Sequence, residues 1–273
     1  MINTMIYYID ELREPIHIQV SSHETRQLLV RFDYKNKNLE PQSYSRALTI
    51  EVSKGGNLQL YIMSTLPTSV QNQVRTSITL HSQSSLTLTE LLLDDGESIY
   101  YTEAILAGSD ATLDYAGAYG ARNRTKRVHT LTTHHLGKNS RSRTTLKSAL
   151  KDSAHLVFQG LIHVDKEATG TDAYLSNRNM VMNDGCRAES LPQLQIETDE
   201  VACSHGSTTG GVREEELFYL MSRGLSRIDA KRLLVLGHLA SILDRFPPSL
   251  AEEAELAAAS FLLNSESFLS EVA

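Results

Sequence analysis

The chain has 273 residues, 41% hydrophobic and 22% charged, with a formal net charge of −7. That is enough apolar material for one large domain or two modest ones, and it excludes a chain disordered by composition. Two cysteines exclude a disulfide-built framework, and the acidic balance argues against a general nucleic-acid coat protein. The N-terminus, Met1 to Asp10, lacks the basic start and long apolar stretch of a signal peptide, and no apolar run approaches the roughly 20 residues that span a bilayer. A cytoplasmic protein without a membrane partner is expected.

The first two thirds read as strand after strand. Leu48, Ile50 and Val52 alternate with polar residues, Gly55-Gly56-Asn57 turns the chain, and Leu58, Leu60 and Ile62 resume the alternation. Ser77–His81 and Ser85–Thr89 do the same, each with one buried face. Turn signals follow at Asp94-Asp95-Gly96, Gly108-Ser109-Asp110, Lys151-Asp152-Ser153, Asp165-Lys166-Glu167, Asn183-Asp184-Gly185 and Asp199-Glu200. Acidic turn residues recur at 152, 165, 184 and 199, with gaps of 13, 19 and 15 residues. No long helical pattern interrupts the strands, so a βαβ sheet is disfavoured. Hairpin turns of the Asn-Gly type are scarce, which favours a solenoid of stacked short strands over a sandwich.

The composition shifts after Gly211. Glu214 to Arg223 reads as a helix with acids at its start and Gly224 at its end. Ser226 caps a second helix, with Asp229 three residues on and Leu233, Leu236, Leu239, Ala240, Leu243 and Phe246 at helical spacing. Pro247-Pro248 stops it, and a Ser249–Glu252 capping box opens a last, acidic helix reaching about Phe268. These helices carry more apolar residues than a solvated hairpin requires. Part of that surface is expected to cover the end of the solenoid, so that removing everything after Gly211 would leave a compact β-rich core.

Neither a phosphate loop, a Gly-x-Ser-x-Gly elbow nor a His-Glu-x-x-His pair is present, which removes the commonest catalytic motifs. Tyr115 to Leu150 contains no acid. Arg122, Arg124 and Lys126 alternate, as do Arg141, Arg143 and Lys147, so each set is expected on one strand face as a cationic stripe. An ordinary solvated face explains it as well as an anionic ligand does, and only Tyr115 and Tyr119 could stack bases, so RNA is disfavoured. His129, His134 and His135 lie close in sequence. Positions 134 and 135 point to opposite faces of a strand and cannot both line one metal site, so hydrogen bonding along the solenoid is the simpler reading. Cys186 and the pair Cys203-Ser204-His205 offer thiolate and imidazole, which suit Fe–S clusters, Zn and Cu, but they are too few for a four-ligand structural zinc site. Two inert buried thiols are the alternative.

From about Tyr115 onward the ordered motifs become specific. They are Asp172-Ala173-Tyr174, Asn177-Arg178-Asn179, Asn183-Asp184-Gly185, Leu191 to Glu197, Cys203-Ser204-His205-Gly206-Ser207-Thr208-Thr209-Gly210 and Glu214 to Gly224. Together they resemble the SufB/SufD family of iron–sulfur cluster assembly scaffolds, over well more than half the chain. The first hundred residues match only in being strand-rich, and the resemblance finds no counterpart for the large helical N-terminal region of many members. It implies a right-handed parallel β-helix core over residues 1–211 and a small C-terminal α-helical domain over 212–273. It also implies a SufC-like ABC ATPase as partner, docking on the C-terminal helices. The Cys-Ser-His-Gly stretch is similar to SufD, where the histidine at the position of His205 is implicated in assembly. Cys186, six residues before Pro192, is similar to an essential SufB cysteine. Ser204 and Gly206 stand where SufB carries acids.

This mixture resembles minimal SmsB-type scaffolds, which work with one ATPase subunit type. What it implies is a non-enzymatic scaffold holding a transient Fe–S cluster on Cys186 and His205, with Cys203 a further metal ligand, for delivery to acceptor apoproteins. A homodimer with the site at its two-fold axis is expected, or a heterodimer with a SufB or SufD paralogue. The alternatives are a SufD-like accessory subunit that needs a SufB partner and, remotely, a β-helix enzyme acting on polysaccharide. No nucleic-acid partner is expected.

Overall fold

A computed structural model describes residues 3–8, 11–12, 14–34 and 42–263. Among these residues the chain forms β1 (Asn3–Tyr8), β2 (Ile16–Val20), β3 (Thr25–Asp33), β4 (Gln42–Val52), β5 (Asn57–Ser64), β6 (Val70–Leu80), β7 (Ser85–Leu92) and β8 (Ser98–Leu106). They continue as β9 (Thr112–Ala121), β10 (Lys126–His135), β11 (Arg141–Leu150), β12 (His155–Val164), β13 (Thr171–Val181), β14 (Arg187–Ile196) and β15 (Val201–Gly211). Three helices follow, α1 (Glu214–Ser222), α2 (Arg227–Leu243) and α3 (Pro248–Leu263).

Every strand pairs in parallel with the strand two places along the chain. The odd strands make one sheet, in the order β1 to β15, and the even strands a second, from β14 to β2. The result is a parallel β-solenoid of about seven turns, as the turn spacing predicts. The inward residues of both sheets form one core that includes Ile50, Leu58, Leu60, Leu88, Leu113, Leu131 and Phe158.

The corners explain the recurring turn residues. His23, Gln83, Asp110 and Asn139 adopt positive φ at one corner, with Gly55 and Gly170 in the same role. Asn and Asp tolerate this left-handed conformation better than most side chains. Each such residue turns its N–H onto the next coil: Gln83 donates to Ser109, Asp110 to Lys138, Asn139 to Thr169 and Gly170 to Glu200. Asn123 and Asp152 have positive φ at the other corner. There the Asp152 carboxylate accepts from the Asn123 N–H, and the Asn183 amide oxygen accepts from the Asp152 N–H. The unequal gaps in the acidic series arise because two corners alternate within each coil.

The helices do not cover the end of the solenoid. α2 and α3 lie along the outer face of the odd sheet, where Leu29, Tyr61, Met63, Leu91, Ala116, Ala118 and Ala149 meet Val235, Leu239, Ile242, Phe246, Ala258 and Phe261. The physical reason is that the C-terminal halves of β5, β7 and β9, with Leu29 of β3, are apolar on both faces, so that part of the outer face needs a cover as much as the core does. Small residues in β9 allow close approach: a Cβ on Gly120 would sit 2.9 Å from Phe261 Cδ1. Polar ties frame the contact. Arg31 forms a two-pronged ion pair with Glu253, Arg245 pairs with Asp114, and Lys147 donates to the His238 carbonyl.

Ser226 caps α2 as expected, accepting from the Asp229 N–H, and Gly224 takes φ +95° just beyond α1. Helix α3 starts at Pro248, one residue ahead of the expected Ser249 cap, because a proline fits the first helical position. The reach of this helix to Phe268, with Glu266 and Glu271, lies outside the described residues. None of the described helices is long and apolar enough to cross a membrane.

Candidate functional site

The solenoid ends on an open coil. Among the described residues, β14 pairs only with β12 and β15 only with β13, so each presents a free edge. Their side chains are mostly exposed or half-buried, in contrast to the coils before them. Leu191 is 51% exposed and Ile196 39%.

β15 carries Cys203 and His205. Cys203 packs against the interior core, and strand alternation places His205 on the same face two residues on. His205 is exposed and Cys203 half-buried. Cys203 stands in register with Ala173 and His205 with Leu175. Ser204 and Gly206 alternate to the other face, where Gly206 lies beside the Tyr174 hydroxyl.

Cys186 sits at the opposite corner, in the turn between β13 and β14. Its thiol lies 3.3 Å from Asn183 Oδ1 and packs against the cluster of Ala121, Leu150, Ala154 and Leu156. β13 runs between the two corners. Counting along it from Leu175 to Val181 separates Cys186 from His205 by roughly 20 Å at about 3.3 Å per strand residue. One chain therefore brings Cys203 and His205 together but not Cys186. Among the described residues, no three His, Cys, Asp or Glu side chains converge to hold a metal.

Burial pushes both thiols above the ordinary cysteine value, most strongly through desolvation of the thiolate. At neutral pH they are protonated, and metal binding has to displace the proton. Sulfur and imidazole suit iron and other soft or borderline metals. Two ligands of this kind leave the remaining coordination positions to water, to a second chain or to the cargo itself.

Of the two cationic sets, only the second lies along one strand face. Arg122 and Arg124 lie in the turn between β9 and β10 rather than along one strand. Arg122 pairs with Asp95 and stacks on the Phe261 ring. Arg141 and Arg143 share an outer face of β11, but both pair with Asp172, and Lys147 is drawn under α2. The pairs at Asp95 and Asp172 come from other coils, so the sequence run alone could not show them.

The histidines divide as alternation requires. His135 faces inward, hydrogen-bonded to Ser140 and Ser142, and His134 faces outward toward His163 on β12. His163, Glu103 and Glu197 around His134 were not picked out by sequence spacing, since each comes from a different coil. His129 is buried among Tyr100, Tyr119 and Phe158.

The helical hairpin is the other distinctive surface. Phe218 is 74% exposed, Tyr219 57% and Leu233 53%, with Met221, Leu225 and Ile228 also open. Only Leu217 of α1 is buried. These exposed apolar side chains lie on α1, in the turn after it and in the first half of α2.

A family model described as SUF system FeS cluster assembly, SufBD core domain, matches residues 12–238. An iron–sulfur cluster assembly SufBD family protein of Mycobacterium leprae is 38% identical over 159 residues, 55% of this chain and 40% of that protein. The iron–sulfur cluster assembly protein SufD of Escherichia coli is 38% identical over 101 residues, 37% of this chain and 24% of that protein. SufB of Bacillus subtilis is 24% identical over 213 residues, 77% of this chain and 45% of that protein. The chain spans less than half the length of each of these relatives.

Proposed function

Because the chain belongs to the SufBD family of iron–sulfur cluster assembly proteins, we propose that it is a non-enzymatic scaffold on which a cluster is built and then released to acceptor apoproteins. The observation that carries this reading is the open last coil, which sets Cys203 and His205 side by side at a free edge, with Cys186 on the same coil. The incomplete ligand set suits a cargo that must leave again.

Two copies complete the set. Pairing the free β14 and β15 edges about a two-fold axis runs each strand antiparallel to its copy. β14 starts at the Cys186 corner and ends at Ile196, just before the turn into β15. Antiparallel docking therefore lays the Cys186 corner of one chain on the Cys203 and His205 corner of the other. The exposed Leu191 and Ile196 become buried in the same step, and the free edges are paired.

The exposed cluster on α1 and α2 is read as the docking face for a SufC-like ABC ATPase, which supplies the nucleotide-driven motion this chain has no phosphate loop to perform. The setting is expected to be the cytoplasm.

Anaerobic reconstitution tests the site. Cys186→Ser and His205→Ala each should lower Fe–S absorbance severalfold against a Gln71→Ala control. Full loading in both variants would sink the assignment. Loading should also weaken as pH falls from 8 to 6, by about tenfold per unit for each coordinating thiol, because each protonated thiol must lose its proton on binding.

A second reading is an accessory subunit that needs a SufB partner. It draws support from the higher identity to SufD than to SufB and from the distance between Cys186 and His205 within one chain. A purified chain that loads no cluster alone, but does so with a SufB protein added, would favour it.

A further inference from the structure

On the outer face of the even sheet, four side chains from successive coils form a line. Glu103 of β8 lies 3.3 Å from His134 Nε2, through its Oε1. His134 Nδ1 lies 3.3 Å from His163 Nδ1. His163 Nε2 lies 3.1 Å from Glu197 Oε1, in the turn after β14. The imidazole rings are inclined at 75°, edge to face, so they do not stack. Both are largely shielded, with side-chain exposures of 28% for His134 and 19% for His163.

With both imidazoles neutral, this line is one cation short. Each of its three contacts needs a positive hydrogen or ion between two lone-pair atoms. Carboxylates bring no proton, and two neutral imidazoles bring one each. Satisfying the two carboxylates places both N–H groups on Nε2. The two Nδ1 lone pairs then face each other.

We propose that His134 and His163 hold one divalent transition-metal cation between their Nδ1 atoms, with Glu103 and Glu197 orienting the rings from behind. Two imidazole nitrogens bound to one tetrahedral ion at about 2.0–2.1 Å are about 3.4 Å apart, close to the spacing of this pair. A carboxylate accepting from the far ring nitrogen is the usual support of a metal-bound histidine, and it fixes the tautomer that frees Nδ1. The carboxylates sit behind the rings, so the protein supplies two ligands and water the others. Imidazole donors select the Zn²⁺, Cu²⁺ and Ni²⁺ class over Mg²⁺ or Ca²⁺.

The site is separate from the cluster-assembly residues, and it touches them through one element. Glu197 opens the turn that leads into β15, and its N–H donates to Val164 at the end of β12. A metal that draws His163 and Glu197 into line braces the entrance to the strand that carries Cys203 and His205.

The test uses the full chain, stripped with a chelator and titrated with Zn²⁺ against a chromophoric competitor. The wild type should bind one equivalent that His134→Gln and His163→Gln both lose and that Cys186→Ser, Cys203→Ser and His205→Ala all retain. Glu197→Gln should weaken this equivalent by about 10- to 100-fold without removing it. With Cu²⁺, electron paramagnetic resonance should report two imidazole nitrogens in the wild type and fewer in either histidine variant. Zn²⁺ should raise the melting temperature of the wild type but not of His163→Gln. Unchanged Zn²⁺ stoichiometry and affinity in both histidine variants would overturn the proposal. So would a nitrogen-bound proton shared between the rings that persists by NMR at saturating Zn²⁺, because the missing cation would then be a proton.

Discussion

Arg127 is fully buried, and its guanidinium donates to the carbonyls of Leu92, Gly120 and Asp94. Arg127→Met would leave these acceptors unpaired inside the protein and should cost about 3–5 kcal/mol in urea denaturation. Glu90 is its acidic counterpart in the interior. It accepts from Tyr115 and Tyr119, yet burial outweighs those bonds and lifts its carboxyl from 4.5 to about 7. The folded chain thus holds this proton more tightly than the unfolded chain does. Its favourable contribution is complete below pH 4.5 and is lost as pH rises through 7. Relative to wild type, Glu90→Gln should be unchanged in stability near pH 4 and gain up to about 3 kcal/mol by pH 8. His129 works in the opposite sense. Burial lowers it from 6.5 to about 3, so stability is lost as pH falls from 6.5 toward 3. Unfolding midpoints measured every half unit of pH separate the two groups.

At the scale of elements, α2 and α3 have two unlike faces. Leu239 is fully buried against the odd sheet, and Leu239→Ala should destabilise the protein by about 2–5 kcal/mol. Phe218 and Leu233 point away from it, so Phe218→Ser combined with Leu233→Ser should leave the melting temperature nearly unchanged and abolish co-purification with the ATPase. Retained binding would move the docking face elsewhere. Removing everything after Gly211 is a poorer experiment than it looks from sequence. It would bare Leu29, Tyr61, Met63, Leu91 and Leu93 on the outer odd face, and the truncated chain should aggregate rather than stay compact.

At the scale of the molecule, the open last coil is a structural problem with a symmetric solution. Free edges invite pairing with other chains, and a two-fold contact pairs them without leaving new ones. Light scattering should therefore give a dimer at micromolar concentration. Mild oxidation should link Cys186 of one chain to Cys203 of its copy, and Cys203→Ser should abolish that link. A strict monomer, even with the ATPase and ATP present, would restore the accessory-subunit reading.

Much of this was legible along the chain. Alternation at Leu48–Ile62 and the turn residues Gly55, Asp110 and Asp152 fix strands and turns locally, because strand faces and left-handed turns depend on neighbours within a few residues. The Ser226 cap and Gly224 stop are local for the same reason. Cys203 and His205 were visible together because a spacing of two on a strand is itself a geometry. What folding alone decided is everything that joins different coils. The same Arg143 that reads as half of a basic stripe is paired with Asp172, and His134 finds His163 only because stacking brings their strands into register. The site of the helices could not be read either. An apolar helix face states that it must be covered, but only the outer face of the odd sheet, assembled from five strands far apart in sequence, shows by what.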